Sequence, residues 1–141
     1  RQGGDAERLV EDLNLSSSVS FVSGISTLAL VEMYAQATLV IVPSVYEGFG
    51  LPAGEAMSCG VAVVSTNGGA LPEIVGDNAM VVPTRDSKAL ADAASKLLEE
   101  PSLREDMGKE AREHIKQCFS WEACAKNMTK YYEDVLANAD H

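Results

Sequence analysis

Basic side chains are scarce in this sequence. Among 141 residues, 11 Lys and Arg stand against 21 Asp and Glu, so the formal net charge is -10, and only two His are present. Surfaces that bind nucleic acids or anionic membranes are basic. We therefore expect no nucleic-acid partner and no direct docking of this chain on an anionic membrane.

Cysteines and long apolar runs are also few. The three cysteines, Cys59, Cys118 and Cys124, form an odd set without paired spacing. This pattern favours reduced thiols over a disulfide framework and indicates a cytoplasmic location. Neither the cysteines nor the two histidines show the spacing of metal ligands. No apolar run approaches the roughly 20 residues that a membrane-spanning helix needs.

Short apolar runs alternate with helical patterns as far as Thr84, and only helical patterns follow it. The length and the apolar share of 46% fit a single domain over residues 1–141. Such alternation is typical of an α/β fold. We expect a Rossmann-like parallel sheet with helices on both faces, followed by three C-terminal helices. The predicted strands are Val19–Val22, Leu39–Val42, Val61–Ser65 and Ala79–Val82.

Capping residues, prolines and apolar spacing predict the helices. Two short helices are expected over Pro52–Cys59 and Leu71–Val75. The expected caps of the other helices are Asp5, Ser26 or Thr27, Asp86 or Ser87, Ser102 with Glu105, and Ser120. The predicted inner faces of the last two helices are Leu103, Met107, Ala111 and Ile115, and then Trp121, Ala125, Met128, Tyr132 and Val135.

Three glycine-bearing loops each follow a predicted strand. They contain Gly24, Gly48 with Gly50, and Gly68 with Gly69. In open parallel sheets the ligand lies outside the carboxyl ends of the strands, in the loops that follow them. We therefore expect the three loops to converge on one ligand site.

The middle loop carries two glutamates, Glu47 and Glu55, with seven residues between them. The glycines allow sharp bends, and Pro52 suits the first turn of a helix, so Glu47 lies in a loop and Glu55 near a helix start. Free amides at a helix start attract anions. We expect both carboxylates to face one pocket, where amides bind phosphates and carboxylates bind hydroxyls. Such a pocket suits a sugar nucleotide.

The segment PSVYEGFGLPAGEAMSCGVAVVST and the GGALPEIV that follows it are recognisable. They resemble the C-terminal domain of retaining glycosyltransferases of the GT-B fold, glycosyltransferase group 1. The resemblance extends over about Gly3 to Leu136 and centres on an E-x7-E motif, here Glu47 and Glu55. It implies transfer of a glycosyl group from a nucleotide-sugar donor to an acceptor with retention of configuration.

The resemblance also implies roles for the two glutamates. Glu47 would bond hydroxyls of the donor sugar and favour the positive charge that develops on it, which makes it the candidate catalytic residue. Glu55 would bond the ribose hydroxyls of the nucleotide. A diphosphate can be held by amides and basic side chains, so no metal and no cofactor beyond the donor substrate is expected.

Backbone groups supply the remaining predicted contacts. In the family, amides here around Phe49, Gly50 and Leu51 meet the sugar and the diphosphate, and the turn at Gly24 and Ile25 meets the base. The other predicted substrate-binding residues are Gly48, Gly68 and Gly69.

The same family pattern includes parts that this sequence does not show. The resemblance implies two strands ahead of Gly3, with the basic residues that neutralise the diphosphate, and an N-terminal domain that binds the acceptor. We expect this chain to be the donor-binding half, inactive alone, and any peripheral membrane contact to involve the other half. Without those strands, Leu39–Val42 would be an open edge prone to self-association.

Two alternatives stay open at this point. The loops could belong to a non-catalytic doubly wound module that binds a nucleotide or has a regulatory role. The related epimerases and sugar phosphorylases share the two-domain architecture, although a phosphorylase would need a cofactor lysine site that the sequence does not show. The two glutamates also have a simpler interpretation. Glu47 could be a surface charge in a loop, and Glu55 could be a charge that the dipole at a helix N-terminus favours.

Overall fold

The computed structural model of the chain describes residues 4–139. The contacts divide this stretch into two compact units, one ending at Leu30 and one beginning at Val31. Each unit is described by itself below. The organisation of the whole chain as a single domain stays a prediction.

The first unit contains helix α1, Asp5–Asp12. The prediction that Asp5 caps this helix is wrong, because Asp5 is already helical and Gly4 precedes it. The Gly4 amide donates to the Glu7 carboxylate at 3.1 Å, so the acidic side chain of the first turn satisfies a backbone donor that has no partner within the helix.

The predicted strand Val19–Val22 is not formed. These residues have an irregular backbone, and Phe21 and Val22 are 56% and 52% exposed. A β-branched and aromatic run becomes a strand only when a neighbouring strand takes up its backbone hydrogen bonds. Residues 4–30 contain no strand that could do so.

Helix α2, Thr27–Gln36, begins where the sequence predicted. The Ser26 hydroxyl accepts the Ala29 amide at 3.2 Å, which confirms Ser26 as its cap.

A three-stranded parallel sheet lies at the centre of the second unit. Its strands are β1 (Val40–Val42), β2 (Val63–Thr66) and β3 (Met80–Val82), side by side in the order β1-β2-β3. The register pairs Val42 with Ser65 and Ser65 with Val81. The predicted parallel, Rossmann-like sheet is confirmed. Strand β1 pairs only with β2 within the described residues, so the predicted open edge is present, and self-association through it stays a prediction.

Helices connect and follow the strands. Helix α3, Leu51–Ser58, links β1 to β2, and α4, Leu71–Val75, links β2 to β3. After β3 come α5 (Ser87–Glu99), α6 (Pro101–Phe119) and α7 (Trp121–Ala139). The three C-terminal helices are therefore confirmed.

The caps of the C-terminal helices follow the sequence with one exception. Asp86 accepts the Ala89 amide at 2.9 Å, and Ser120 accepts the Ala123 amide at 3.1 Å. The predicted cap at Ser102 is wrong, because α6 already begins at Pro101 and Ser102 lies inside its first turn. Proline fits that first helical position, where its missing amide hydrogen would have no acceptor within the helix.

The core lies on both faces of the sheet because β2 is buried on both sides. Val63 packs with Met57 and Leu71 from α3 and α4, and Val64 packs on the opposite face with Leu97 of α5. All four residues of β2 are buried. Continuous apolar runs are typical of strands covered on both faces, and this is why the alternation could be interpreted as a parallel sheet.

The predicted inner face of α6 is confirmed, and that of α7 is wrong. Ala111 is buried, and Leu103, Met107 and Ile115 are partly buried. In α7, by contrast, Trp121 is 88% exposed. Spacing predicts which face of a helix is apolar but not what covers it.

No helix within residues 4–139 is long and apolar enough to cross a membrane.

The turn that follows α3 approaches helix α6 closely at two glycines, Gly60 and Gly108. A Cβ added to Gly108 would lie 3.1 Å from the carbonyl carbon of Gly60 and would collide with the attached oxygen. A Cβ added to Gly54, in the middle of α3, would meet only the Ile74 side chain at 3.8 Å, an ordinary contact.

We predict that Gly108→Ala lowers the free energy of unfolding by about 1–3 kcal/mol, because backbone cannot rotate away from the new methyl group. Gly54→Ala is the matched control and should raise the free energy of unfolding by about 0.5–1 kcal/mol, because it removes a flexible helical residue without a clash. Urea denaturation measures both. A stabilised Gly108→Ala would contradict the close packing described here.

Candidate functional site

The loops that follow β1 and β2 contact each other at the carboxyl edge of the sheet. The Glu47 carbonyl accepts the Ala70 amide at 2.9 Å. The Thr66 hydroxyl donates to the Ser44 carbonyl. Two of the three predicted glycine loops therefore lie together. The third, with Gly24 and Ile25, belongs to the first unit, and its place at the site stays a prediction.

Gly68 and Gly69 make this contact possible. A Cβ on Gly68 would lie 2.6 Å from the Val45 carbonyl oxygen, and a Cβ on Gly69 would lie 2.9 Å from the Glu47 nitrogen. Gly69 also has a φ of +61°, a left-handed conformation that side chains disfavour. These two glycines are therefore needed for the packing of one loop on the other, whatever their part in ligand binding.

Gly50 sets the start of α3. It is buried with a φ of +92°, and the helix begins at Leu51, one residue before the predicted start. Phe49 and Leu51 on either side of it are exposed. Amides in a first helical turn lack acceptors within the helix and can bind an anion. The predicted contacts of Phe49, Gly50 and Leu51 with a diphosphate stay predictions.

The two glutamates have different partners. Glu47 is partly buried, and its Oε1 accepts a hydrogen bond from the Ser44 hydroxyl at 2.8 Å. Glu55 is exposed, and its Oε2 accepts a hydrogen bond from the Tyr34 hydroxyl of α2 at 3.2 Å. Burial, and second the Glu55 carboxylate, raise the pKa of Tyr34 to about 12, so the phenol keeps its proton at neutral pH.

Glu55 lines a small cavity beside the start of α3. The cavity has a volume of about 200 Å³, and Phe49 and Leu51 line it with Glu55. The structure therefore brings together three of the predicted substrate-binding residues. Glu47 is not among the residues that line this cavity, so the single pocket expected for both carboxylates stays a prediction.

An aromatic cluster attaches the same loop to the end of α6. Phe49 meets Phe119 edge to face with ring centroids 6.4 Å apart, and His114 meets Phe119 at 5.8 Å. The His114 Nε2 lies 3.0 Å from the Ile74 carbonyl oxygen, to which it can donate a hydrogen bond. No pattern in the sequence indicated this cluster, because Phe49 and Phe119 are distant along the chain and only the fold brings them together.

Tyr34 and Ser44 are the side chains at this site whose hydrogen bonds the sequence did not predict. The Tyr34 ring is partly buried against the core. Its hydroxyl could not be matched to Glu55 without knowing how α2 and α3 lie.

Across the described part of the chain, no group of three or more His, Cys, Asp or Glu side chains is placed to hold a metal ion.

This parallel sheet, with its two converging loops and the helices on both faces, is the fold of the C-terminal domain of GT-B glycosyltransferases. The family model of glycosyl transferases group 1 matches residues 4–114. The chain belongs to this family.

Relatives and solved structures agree with this assignment. The chain is 36% identical over 137 residues to an MMP alpha-(1->4)-mannosyltransferase of Mycolicibacterium hassiacum, a match that covers 95% of this chain and 33% of the relative. It is 38% identical to the solved sucrose-phosphate synthase of Thermosynechococcus elongatus, with a TM-score of 0.83 over 94% of this chain and 34% of that one.

A third similarity concerns the fold alone. The structure of HepE from Anabaena, solved in complex with UDP-glucose, is 22% identical, with a TM-score of 0.80 over 92% of this chain and 36% of that one. The chain thus spans about a third of the length of the relatives that it matches.

We predict that Gly69→Ala lowers the free energy of unfolding by more than about 1 kcal/mol, since the new side chain is strained in its backbone conformation and meets the Glu47 backbone. The matched control is Gly48→Ala in the facing loop, where an added Cβ has no atom within 4 Å. Chemical denaturation of both variants provides the comparison. Equal stabilities would show that the loops are not pressed together.

Proposed function

We propose that this chain is the donor-binding part of a retaining glycosyltransferase, which transfers a glycosyl group from a nucleotide-sugar to an acceptor. The observation that carries the proposal is the position of the E-x7-E segment. It leaves β1 at the carboxyl edge of the parallel sheet, where such folds bind ligands, and the Gly68–Gly69 loop packs on it there.

Each part of the segment suits one part of a nucleotide-sugar. Glu55, at the cavity beside α3, offers a carboxylate to the ribose hydroxyls. The amides around Gly50 and Leu51 offer donors to the diphosphate. Glu47, held by Ser44, offers a carboxylate to the sugar hydroxyls.

The chemistry calls for positioning and charge stabilisation. In a retaining transfer the bond between the sugar and the diphosphate breaks while positive charge develops on the sugar. The acceptor oxygen forms the new bond on the same face and gives its proton to the departing diphosphate. Glu47 would orient the sugar and favour its positive charge without attacking it. We propose that the reaction needs no metal, because amides and basic side chains can stabilise the departing diphosphate.

Two features of the relatives support a donor of this class. HepE was solved with UDP-glucose, and relatives are named for the transfer of sugars. Because the chain spans about a third of their length and is acidic, we propose that the acceptor site and the basic residues for the diphosphate are supplied by other parts of the enzyme.

Calorimetric titration with UDP-glucose, GDP-mannose, UDP and GDP tests the proposal. Glu55→Gln should weaken binding of both the sugar nucleotide and the free nucleotide by about tenfold or more, because a charged acceptor for ribose hydroxyls is lost. Glu47→Gln should weaken binding of the sugar nucleotide and leave binding of the free nucleotide unchanged. Glu110→Gln, an exposed glutamate on α6, is the control and should change neither.

Two results would contradict the proposal. One is the absence of binding to any of the four ligands. The other is nucleotide binding that is the same in the parent and in Glu55→Gln. The second result would favour the alternative of a non-catalytic nucleotide-binding or regulatory module, which binds its ligand elsewhere.

A further inference from the structure

The hydrogen bond between Tyr34 and Glu55 joins two elements at the candidate site. Tyr34 lies on α2 and Glu55 on α3, 21 residues further along the chain, and the phenol oxygen is 3.2 Å from Oε2. The Tyr34 ring packs against the core cluster that includes Met57 and Leu71. The phenol is therefore anchored by the core, whereas the Glu55 side chain is exposed and has no such support.

A fixed donor constrains a carboxylate in a useful way. An exposed glutamate samples several side-chain conformations and loses that freedom when it binds a ligand. A carboxylate has two oxygens and about four acceptor positions, of which a phenol occupies one. The bond at Oε2 therefore restrains the side chain and leaves Oε1 and one position on Oε2 available for other donors.

We propose that Tyr34 is a positioning residue that orients Glu55 toward the two adjacent hydroxyls of a ribose, so that the site favours ribonucleotides over nucleotides without these hydroxyls. The inference rests on the proposed function, because it takes Glu55 as the ribose acceptor. A pre-oriented carboxylate binds the diol without first losing its own conformational freedom. The preference for ribose is then produced partly by a residue that does not touch the nucleotide.

The protonation state of Tyr34 fits this role. Burial and the neighbouring Glu55 raise the pKa of Tyr34 to about 12. The phenol is therefore a hydrogen-bond donor at any pH used for a binding measurement. Glu55 is its acceptor in the structure.

The test compares UDP with 2′,3′-dideoxy-UDP on the parent chain and on Tyr34→Phe, by calorimetry. Tyr34→Phe keeps the ring in the core and removes only the hydroxyl. UDP affinity should fall about threefold to tenfold, the range expected for one hydrogen bond. The affinity for 2′,3′-dideoxy-UDP should change less than about twofold, because that ligand has no hydroxyls for Glu55 to accept.

Two further variants complete the test. Tyr132→Phe, at an exposed tyrosine of α7, is the matched control and should leave both affinities unchanged. In a Glu55→Gln background, Tyr34→Phe should change UDP affinity by less than about twofold, because the carboxylate that it orients is gone. Thermal unfolding verifies that each variant is folded.

The outcomes separate this inference from the proposed function. If Glu55→Gln weakens UDP binding but Tyr34→Phe lowers both affinities equally, Tyr34 only supports the fold and the inference is overturned. The inference is also overturned if Tyr34→Phe leaves the ratio of the UDP and 2′,3′-dideoxy-UDP affinities unchanged. It is overturned as well if Tyr34→Phe has the same effect on UDP affinity with Glu55 present and with Glu55 replaced. If the parent chain binds no UDP, or binds it independently of Glu55, the proposed function fails and the inference fails with it.

Discussion

The contact between two backbone loops is the constraint on which the candidate site depends. The loop after β1 and the loop after β2 meet through a hydrogen bond from the Ala70 amide to the Glu47 carbonyl, and Gly69 allows the two loops to approach each other. Parallel strands place these loops at one edge of the sheet, but only a residue without a side chain lets them touch. The position of the Glu47 backbone at the end of β1 follows from this contact.

The two carboxylates are held in different ways because they lie on different kinds of structure. Glu47 is on a loop, and a nearby serine of the same loop restrains it. Glu55 is on the exposed side of α3, and its carboxylate accepts a hydrogen bond from a tyrosine of another helix, α2. The site therefore depends on the packing of whole helices as well as on the motif itself.

Much of the fold could be predicted from the sequence, for reasons that particular residues show. The apolar run at β2 is buried on both faces, as expected for an inner strand of a parallel sheet, and Asp86 and Ser120 cap helices as their types suggest. The failures concern features that depend on a distant partner. Val19–Val22 has the composition of a strand, but residues 4–30 contain no strand that could pair with it, and the apolar face of α7 is exposed. The hydrogen bond of Tyr34 and the ring contact of Phe49 likewise could not be predicted without the fold.

We propose that the two loops form one nucleotide-sugar site, and heteronuclear NMR of the isotope-labelled chain tests this most directly. On addition of UDP-glucose, the account predicts that the amides of Phe49, Gly50 and Leu51 and those of Gly68, Gly69 and Ala70 shift together with a single dissociation constant. Shifts confined to one of these loops, or found only elsewhere in the chain, would contradict it.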